Sequence, residues 1–142
     1  LILSSEDKNG KRIELKTGEF GAIEIHMSDG ERSDSWSSDP GLVKATGVEH
    51  CIAVTVDHGP RIIQFVINAA VNNGRDLRQF GWGRYGADMN DVQFNSLETH
   101  QMAGESVNIT SQISHLKLYN RPLMNTEIIG NHRYFATNQK AQ

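Results

Sequence analysis

The chain has 142 residues, 37% hydrophobic and 22% charged, which fits one compact domain and excludes a disordered or fibrous protein. Fourteen Lys and Arg against seventeen Asp and Glu give a formal net charge of -3, which argues against a nucleic-acid binder that neutralises phosphates. No run approaches the roughly 18 consecutive apolar residues that a membrane span needs, and the single cysteine, Cys51, has no partner for an internal disulfide.

The first periodic signal in chain order lies at residues 20–27. Ile23, Ile25 and Met27 alternate there with polar residues, which predicts a strand with one buried face and one solvated face. Such one-sided alternation is typical of an antiparallel sheet.

A β-hairpin is predicted next. Residues 51–57 and 61–68 are rich in β-branched and apolar side chains, as central strands are. Between them Gly59 is expected to supply a positive φ and Pro60 to end the ladder, so the two strands should pair as neighbours.

The remaining signals are turns, two short strands and one helix. Turns are predicted at Asn9-Gly10, Asp29-Gly30, Asp39-Pro40-Gly41 and Asn72-Asn73-Gly74. Later strands are predicted at residues 105–110 and 114–120, followed by one helix from an Asn125 cap to Asn131 and a polar tail from Thr137. The fold class predicted from these elements is all-β, an antiparallel β-sandwich with one short C-terminal helix.

Two segments resemble a known family. Residues 113–129 read Ile-Ser-His-Leu-Lys-Leu-Tyr-Asn-Arg-Pro-Leu-Met-Asn-Thr-Glu-Ile-Ile, and residues 50–66 read His-Cys-Ile-Ala-Val-Thr-Val-Asp-His-Gly-Pro-Arg-Ile-Ile-Gln-Phe-Val. The first resembles the closing strand and short helix of laminin-G-like, concanavalin A-type jelly-roll domains, and the second is similar to their central hairpin. Leu116 and Leu118 are then expected to face the core, with Tyr119 at a sheet margin.

The resemblance implies a jelly-roll sandwich over residues 1–136, with 137–142 as the tail. Such domains usually begin with further strands before the position of Leu1, so the first strands are expected to be missing. Family members bind sugars, proteins or nothing known. The resemblance also implies an extracellular or secreted module, accessory to a glycan-active enzyme.

Catalytic signatures are absent from the sequence. Jelly-roll glycosidases carry a Glu-x-Asp-x-Glu pattern, because alternation places residues i, i+2 and i+4 on one face of a strand. No Glu in this chain is followed by Asp two residues later, and Gly-x-Ser-x-Gly, His-Glu-x-x-His and Cys-x-x-Cys are also absent. Cys51 is expected to be a buried small hydrophobe rather than a nucleophile. A non-catalytic module is predicted.

Aromatic and planar polar side chains point to sugar recognition, since flat apolar faces stack on sugar rings and bidentate groups bind their hydroxyls. Residues 78–85 alternate aromatic and cationic side chains with glycines, and residues 34–39 form a polar segment with one Trp. The predicted ligand-binding residues are Trp36, Asp39, Arg78, Trp82, Arg84 and Tyr85. The alternative is that Phe80 or Trp82 faces the core. The arginines and Tyr85 are expected to be the more accessible groups.

Calcium is the cofactor that the resemblance implies. Asp88, Asn90 and Asp91 offer oxygen ligands within four residues, which suits a hard cation. Asp39 and Asp57 would be more distant contributors. The alternative is a solvated turn rich in Asp and Asn.

Three functions follow from the sequence, in order. The first is a carbohydrate-binding module, whose partners would be a glycan and a neighbouring catalytic domain. The second is a structural or protein-interaction sandwich that packs on a catalytic domain through its aromatic segment. The third is a jelly-roll glycoside hydrolase or lyase, ranked last because the carboxylate pattern is absent.

Overall fold

The computed structural model describes residues 1–43, 47–90, 106–109 and 113–139. Within these ranges the chain forms two antiparallel sheets and one C-terminal helix. The strands are β1 (Leu3–Glu6), β2 (Lys11–Thr17), β3 (Ile23–Asp29), β4 (Ser33–Ser37), β5 (Ile52–Asp57), β6 (Ile62–Ile67), β7 (Ala70–Val71), β8 (Gly83–Arg84) and β9 (Ser106–Ile109), and the helix is α1 (Asn125–Gln139).

The first sheet has the strand order β4-β3-β2-β1-β9, with every neighbouring pair antiparallel. The alternation predicted around residues 20–27 is confirmed in β3, where Ile23, Ile25 and Met27 are buried. On the opposite face the Glu24 carboxylate lies 3.7 Å from Lys16 Nζ on β2, across the sheet. One face of this sheet therefore belongs to the core and the other to solvent.

The second sheet is built on the predicted hairpin. Strands β5 and β6 pair antiparallel with Ile52 opposite Ile67, and the short strands β7 and β8 both pair with the other edge of β6. In the connecting turn the positive φ, 59°, falls on Arg61 and not on Gly59, which the sequence had favoured. Asp57 explains part of this geometry, because its carboxylate accepts a hydrogen bond from the Gly59 backbone N–H at 3.1 Å.

Side chains from both sheets form one buried cluster. Its members are Ile13, Ile23, Ile25, Met27, Ile63, Phe65, Ile67, Tyr85 and Met89. The predicted β-rich class, with two antiparallel sheets and one C-terminal helix, is thus confirmed for the described residues, whereas the sandwich and the jelly-roll order of connections stay predictions. The predicted late strand at residues 105–110 is confirmed at its centre by β9, which pairs with β1.

The predicted strand at residues 114–120 is wrong. Leu116 and Leu118, expected in the core, are 42% and 45% exposed, and the segment has no regular secondary structure. Its side chains pack on the helix instead: the His115 ring lies 5.2 Å from the Phe135 ring, and Lys117 Nζ lies 4.8 Å from the same ring. Contacts with α1 therefore compete with strand pairing for this segment.

The helix α1 extends beyond the predicted end at Asn131 to Gln139, so it includes the first residues of the predicted tail. Asn125 is the first helical residue rather than the cap. The Glu127 carboxylate accepts from the Met124 backbone N–H at 2.9 Å, which is the reciprocal half of a capping box. Within the described ranges, no helix is both long and apolar enough to cross a membrane.

Candidate functional site

The six predicted ligand-binding residues separate into two groups. Asp39 and Tyr85 are buried, and Trp36 and Arg78 are tied to the structure beside Asp39. Arg84 and Phe80 are exposed, and Trp82, which stacks on Phe80, is half-buried. Only part of the predicted site is therefore accessible from solvent.

Asp39 joins two distant segments. Its side chain is 1% exposed; Oδ2 accepts from the Gly74 backbone N–H at 2.9 Å, and Oδ1 accepts from Arg78 at 2.9 Å. Its own backbone N–H donates to Asn72 Oδ1 at 2.7 Å. Because a buried carboxylate must be paired, Asp39 holds the loop after β7 against the end of β4 rather than facing a ligand.

Trp36 completes this structural cluster. The Arg78 guanidinium carbon lies 4.7 Å from the centre of the Trp36 ring, so one cation is shared between the Asp39 carboxylate and the indole face. On the same ring, a Cβ added to Gly83 would lie 2.1 Å from Trp36 Cδ2, which explains why glycine occupies that position. Trp36 Nε1 is buried and has no hydrogen-bond partner among the described residues.

Tyr85 corrects the expectation of an accessible phenol. It is 3% exposed and belongs to the main core cluster. Its hydroxyl shares a hydrogen bond with His58 Nδ1, and the Arg61 guanidinium carbon lies 5.5 Å from its ring centre. Tyr85 therefore anchors the β5–β6 turn to the segment after β8.

The accessible part of the predicted site is an aromatic pair. The rings of Phe80 and Trp82 stack with centroids 5.0 Å apart and planes at 24°, and Phe80 is 49% exposed. Neither ring belongs to the main core cluster. Arg84 is exposed two residues further on, with Nε donating to the Pro60 carbonyl at 3.2 Å. We call Phe80, Trp82 and Arg84 the aromatic surface.

Phe80 is the residue that the predicted site had left out. The signal for it was present, because Phe80 and Trp82 are two residues apart and an extended chain places such residues on one face. The sequence alone leaves open whether that face meets the core or the solvent.

Two of the predicted calcium ligands, Asp88 and Asn90, lie in a segment that is held against the β3–β4 turn. The Asn90 backbone N–H and side-chain amide both donate to Asp29 Oδ2, at 2.7 and 3.2 Å, and the Asp88 carbonyl accepts from the Arg32 guanidinium. Asp91 lies outside the described residues. The described part of the chain has no group of three or more His, Cys, Asp or Glu that could hold a metal ion. Calcium binding stays a prediction.

Asp29 organises this loop, a role the sequence did not indicate. Hydrogen bonds from the backbone N–H groups of Arg32, Asn90 and Glu31 lower the pKa of its carboxyl from 3.8 to about 2. The carboxylate thereby connects the β3–β4 turn to residues 88–90. The Asp29 carboxylate already accepts several hydrogen bonds from the protein, which fits a structural role rather than binding of a metal ion.

Cys51 is half-buried just before β5, and burial raises the pKa of its thiol above its ordinary value. The thiolate form, which would be the nucleophile, is therefore disfavoured at neutral pH. This agrees with a structural role for Cys51.

A second feature is a cavity of about 510 Å³ beside β5, which we call the β5 cavity. Its walls comprise residues 51–59, residues 115–123 and apolar side chains of the first sheet and α1. No sequence signal identified it, because it depends on how residues 115–123 are held against the helix.

Comparison with known proteins gives little further constraint. No known protein family and no curated protein matches the chain. Among solved structures, the chain is similar to residues 221–444 of an S-layer domain-containing protein from Clostridium thermocellum, with 16% identity and a TM-score of 0.34. The match covers 91% of this chain and 60% of that one. Function is therefore argued from the site.

Proposed function

We propose that the chain is a non-catalytic carbohydrate-binding module that binds glycans at the aromatic surface. The observation that carries the proposal is the stacked pair of exposed Phe80 and half-buried Trp82, whose ring centroids lie 5.0 Å apart. An exposed aromatic face suits the C–H face of a sugar ring, because both are flat and weakly hydrated.

Arg84 supplies the polar part of the proposed site. Its Nε is occupied by the Pro60 carbonyl, which fixes the side chain and leaves the terminal N–H groups for sugar hydroxyls. The Asp39 cluster serves this surface indirectly. By holding the 72–78 loop, it limits the conformations open to residues 80–84, which lowers the entropy lost on binding.

The proposed setting is outside the cell, beside a glycan-active catalytic domain, and rests on the laminin-G-like resemblance. A shallow surface of this kind excludes little water, so affinity for one site is expected to be weak. Attachment to an enzyme would still raise the local concentration of polymer. Calcium is not needed in this proposal.

The test is binding of the purified chain to soluble β-glucan, xylan, mannan and chitin oligosaccharides, measured by calorimetry and affinity electrophoresis. Phe80→Ala is expected to weaken the strongest interaction about tenfold or more, since aromatic contacts dominate such surfaces. Phe20→Ala is the matched control, because Phe20 is 84% exposed elsewhere on the molecule. Parallel titrations with calcium and with EDTA test whether calcium, the cofactor predicted from the sequence, affects glycan binding.

Two results would contradict this function. Flat titrations across the panel, with folding verified by a thermal transition, would favour the packing-module interpretation. Hydrolysis of any of these glycans by the isolated chain would instead favour an enzyme.

A further inference from the structure

The β5 cavity lies along the edge of a strand and not over one of its faces. Consecutive residues 51–59 on one side and 115–123 on the other all line it. Side chains of a strand alternate between its two faces, so a cavity reached by every residue must follow the strand's edge. At about 3.3 Å per residue, the six residues of β5 give this edge a length of roughly 20 Å.

The backbone of β5 exposes hydrogen-bonding groups along that edge. The Asn68 N–H donates to the Cys51 carbonyl at 2.9 Å, so residue 51 faces β6, and antiparallel pairing alternates from there. The N–H and C=O groups of Ile52, Val54 and Val56 therefore point away from β6. Among the described strands, β5 pairs with β6 alone.

The side chains around the cavity define what could enter it. Leu15 and Ile25 contribute apolar walls from the first sheet. On the opposite wall Lys117 rests on Phe135, and no described carboxylate pairs with it. The residues of β5 are half-buried, so the backbone groups on this edge can be satisfied by water or by an added strand.

The other charged groups at the cavity are already engaged. The Arg121 guanidinium donates two hydrogen bonds to the Glu127 carboxylate, at 2.9 and 2.6 Å. The Asp57 carboxylate accepts from the Gly59 backbone. Lys117 is therefore the cation of this wall that is best placed to meet an incoming acidic group.

We propose that the β5 cavity binds an extended peptide, which adds as a strand to the edge of β5 that no described strand covers and presents apolar side chains and one acidic side chain to its walls. An unpaired strand edge recognises extended backbone of any sequence, and the walls then select side chains. This site is separate from the aromatic surface and does not depend on the proposed sugar binding.

The probe is a fluorescein-labelled octapeptide in which Val and Thr alternate and one position is Glu, with binding followed by fluorescence anisotropy. N-methylation of alternate peptide nitrogens is expected to weaken binding about tenfold or more, because strand pairing is lost while the side chains remain. Lys117→Glu is expected to weaken binding several-fold, and the matched exposed variant Lys8→Glu to leave it unchanged.

Amide hydrogen exchange measures directly whether the backbone N–H groups on this edge of β5 are hydrogen-bonded. The amides of Ile52, Val54 and Val56 are expected to exchange faster than those of Ala53 and Thr55 in the free chain, and to slow when the peptide binds. Equal binding of the N-methylated peptide would overturn strand addition. Slow exchange of these amides in the free monomer, or their protection by concentration-dependent self-association, would equally overturn the proposal.

Discussion

At the residue scale, the Asp39 carboxylate accounts for much of how the loop after β7 is held. It is 1% exposed and binds both the Gly74 backbone and Arg78, while Arg78 also covers the Trp36 ring. The residue types that suggested a ligand site, an acid, a cation and an aromatic ring, here satisfy one another. Removing one of them leaves a buried group without its partner.

Asp39→Ala is expected to lower the free energy of unfolding by about 2–4 kcal/mol, because Arg78 and the Gly74 N–H lose their acceptor. Asp76→Ala, an exposed change in the same loop, is expected to have an effect within about 0.5 kcal/mol. Urea unfolding curves measure both. Equal unfolding midpoints for the two variants would show that Asp39 does not hold the loop.

Gly83→Ala is expected to destabilise the chain by about 1–3 kcal/mol, since the new Cβ would lie 2.1 Å from Trp36 Cδ2. The matched control is Gly86→Ala, where the nearest atom lies 3.8 Å away. Thermal unfolding distinguishes the two positions. A Gly83→Ala midpoint no lower than that of Gly86→Ala would contradict the close packing of Trp36 on β8.

The pKa of Asp29 predicts an acid-labile loop. Its folded value of about 2 lies below the ordinary 3.8, so the carboxylate stabilises the fold above about pH 4, and that contribution is lost as the pH falls toward 2. The pKa of Glu127 is also about 2, lowered mainly by its hydrogen bond from Arg121. Its contribution to stability is therefore lost over the same range of pH.

Asp29→Asn is expected to flatten the dependence of unfolding free energy on pH between about 4 and 2. Denaturant unfolding at a series of pH values measures the slope, with Glu127→Gln removing the separate helix contribution. An unchanged slope in the Asp29→Asn variant would mean that these hydrogen bonds do not form in solution.

At the element scale, elements with strong local patterns were predictable. Strand β3 follows its alternation, and the β5–β6 hairpin follows two apolar runs joined by a short turn. Residues 114–120 have a similar β-like pattern but lie against α1, because tertiary contacts with Phe135 override local preference. The local sequence of residues 114–120 does not indicate that α1 is the element on which they pack.

The site was less predictable than the strands for the same reason. Asp39 and Gly74 are 35 residues apart, and such distant partners decide whether a polar group faces solvent or protein. Composition pointed to residues 78–85, and only the tertiary structure separates buried Tyr85 from exposed Phe80. The helix was predicted to end at Asn131, but it continues to Gln139.

Gly130→Ala is expected to stabilise α1 by about 0.5–1 kcal/mol, because Gly130 is in the helix interior and a Cβ there meets nothing within 4 Å. Thermal unfolding followed by far-ultraviolet circular dichroism measures the gain. A lower midpoint for the variant would contradict a helical Gly130 with open space at its Cβ position.

At the scale of the whole molecule, one core joins two sheets, and the two proposed binding sites lie on separate sets of residues. The aromatic surface depends on residues 80–84, whereas the β5 cavity depends on β5 and residues 115–123. Their residue sets do not overlap, so variants of one leave the other as an internal control. Sugar binding at the aromatic surface is the central functional claim.

The two tryptophans allow the most direct measurement of that claim. Trp36 Nε1 is buried under Arg78, whereas Trp82 stacks on exposed Phe80, so their indole N–H signals in a nitrogen–proton correlation spectrum report on different environments. Titration with a soluble glycan from the panel is predicted to shift the Trp82 signal saturably and leave the Trp36 signal in place. A glycan that binds while the Trp82 signal stays unmoved would contradict the proposed site.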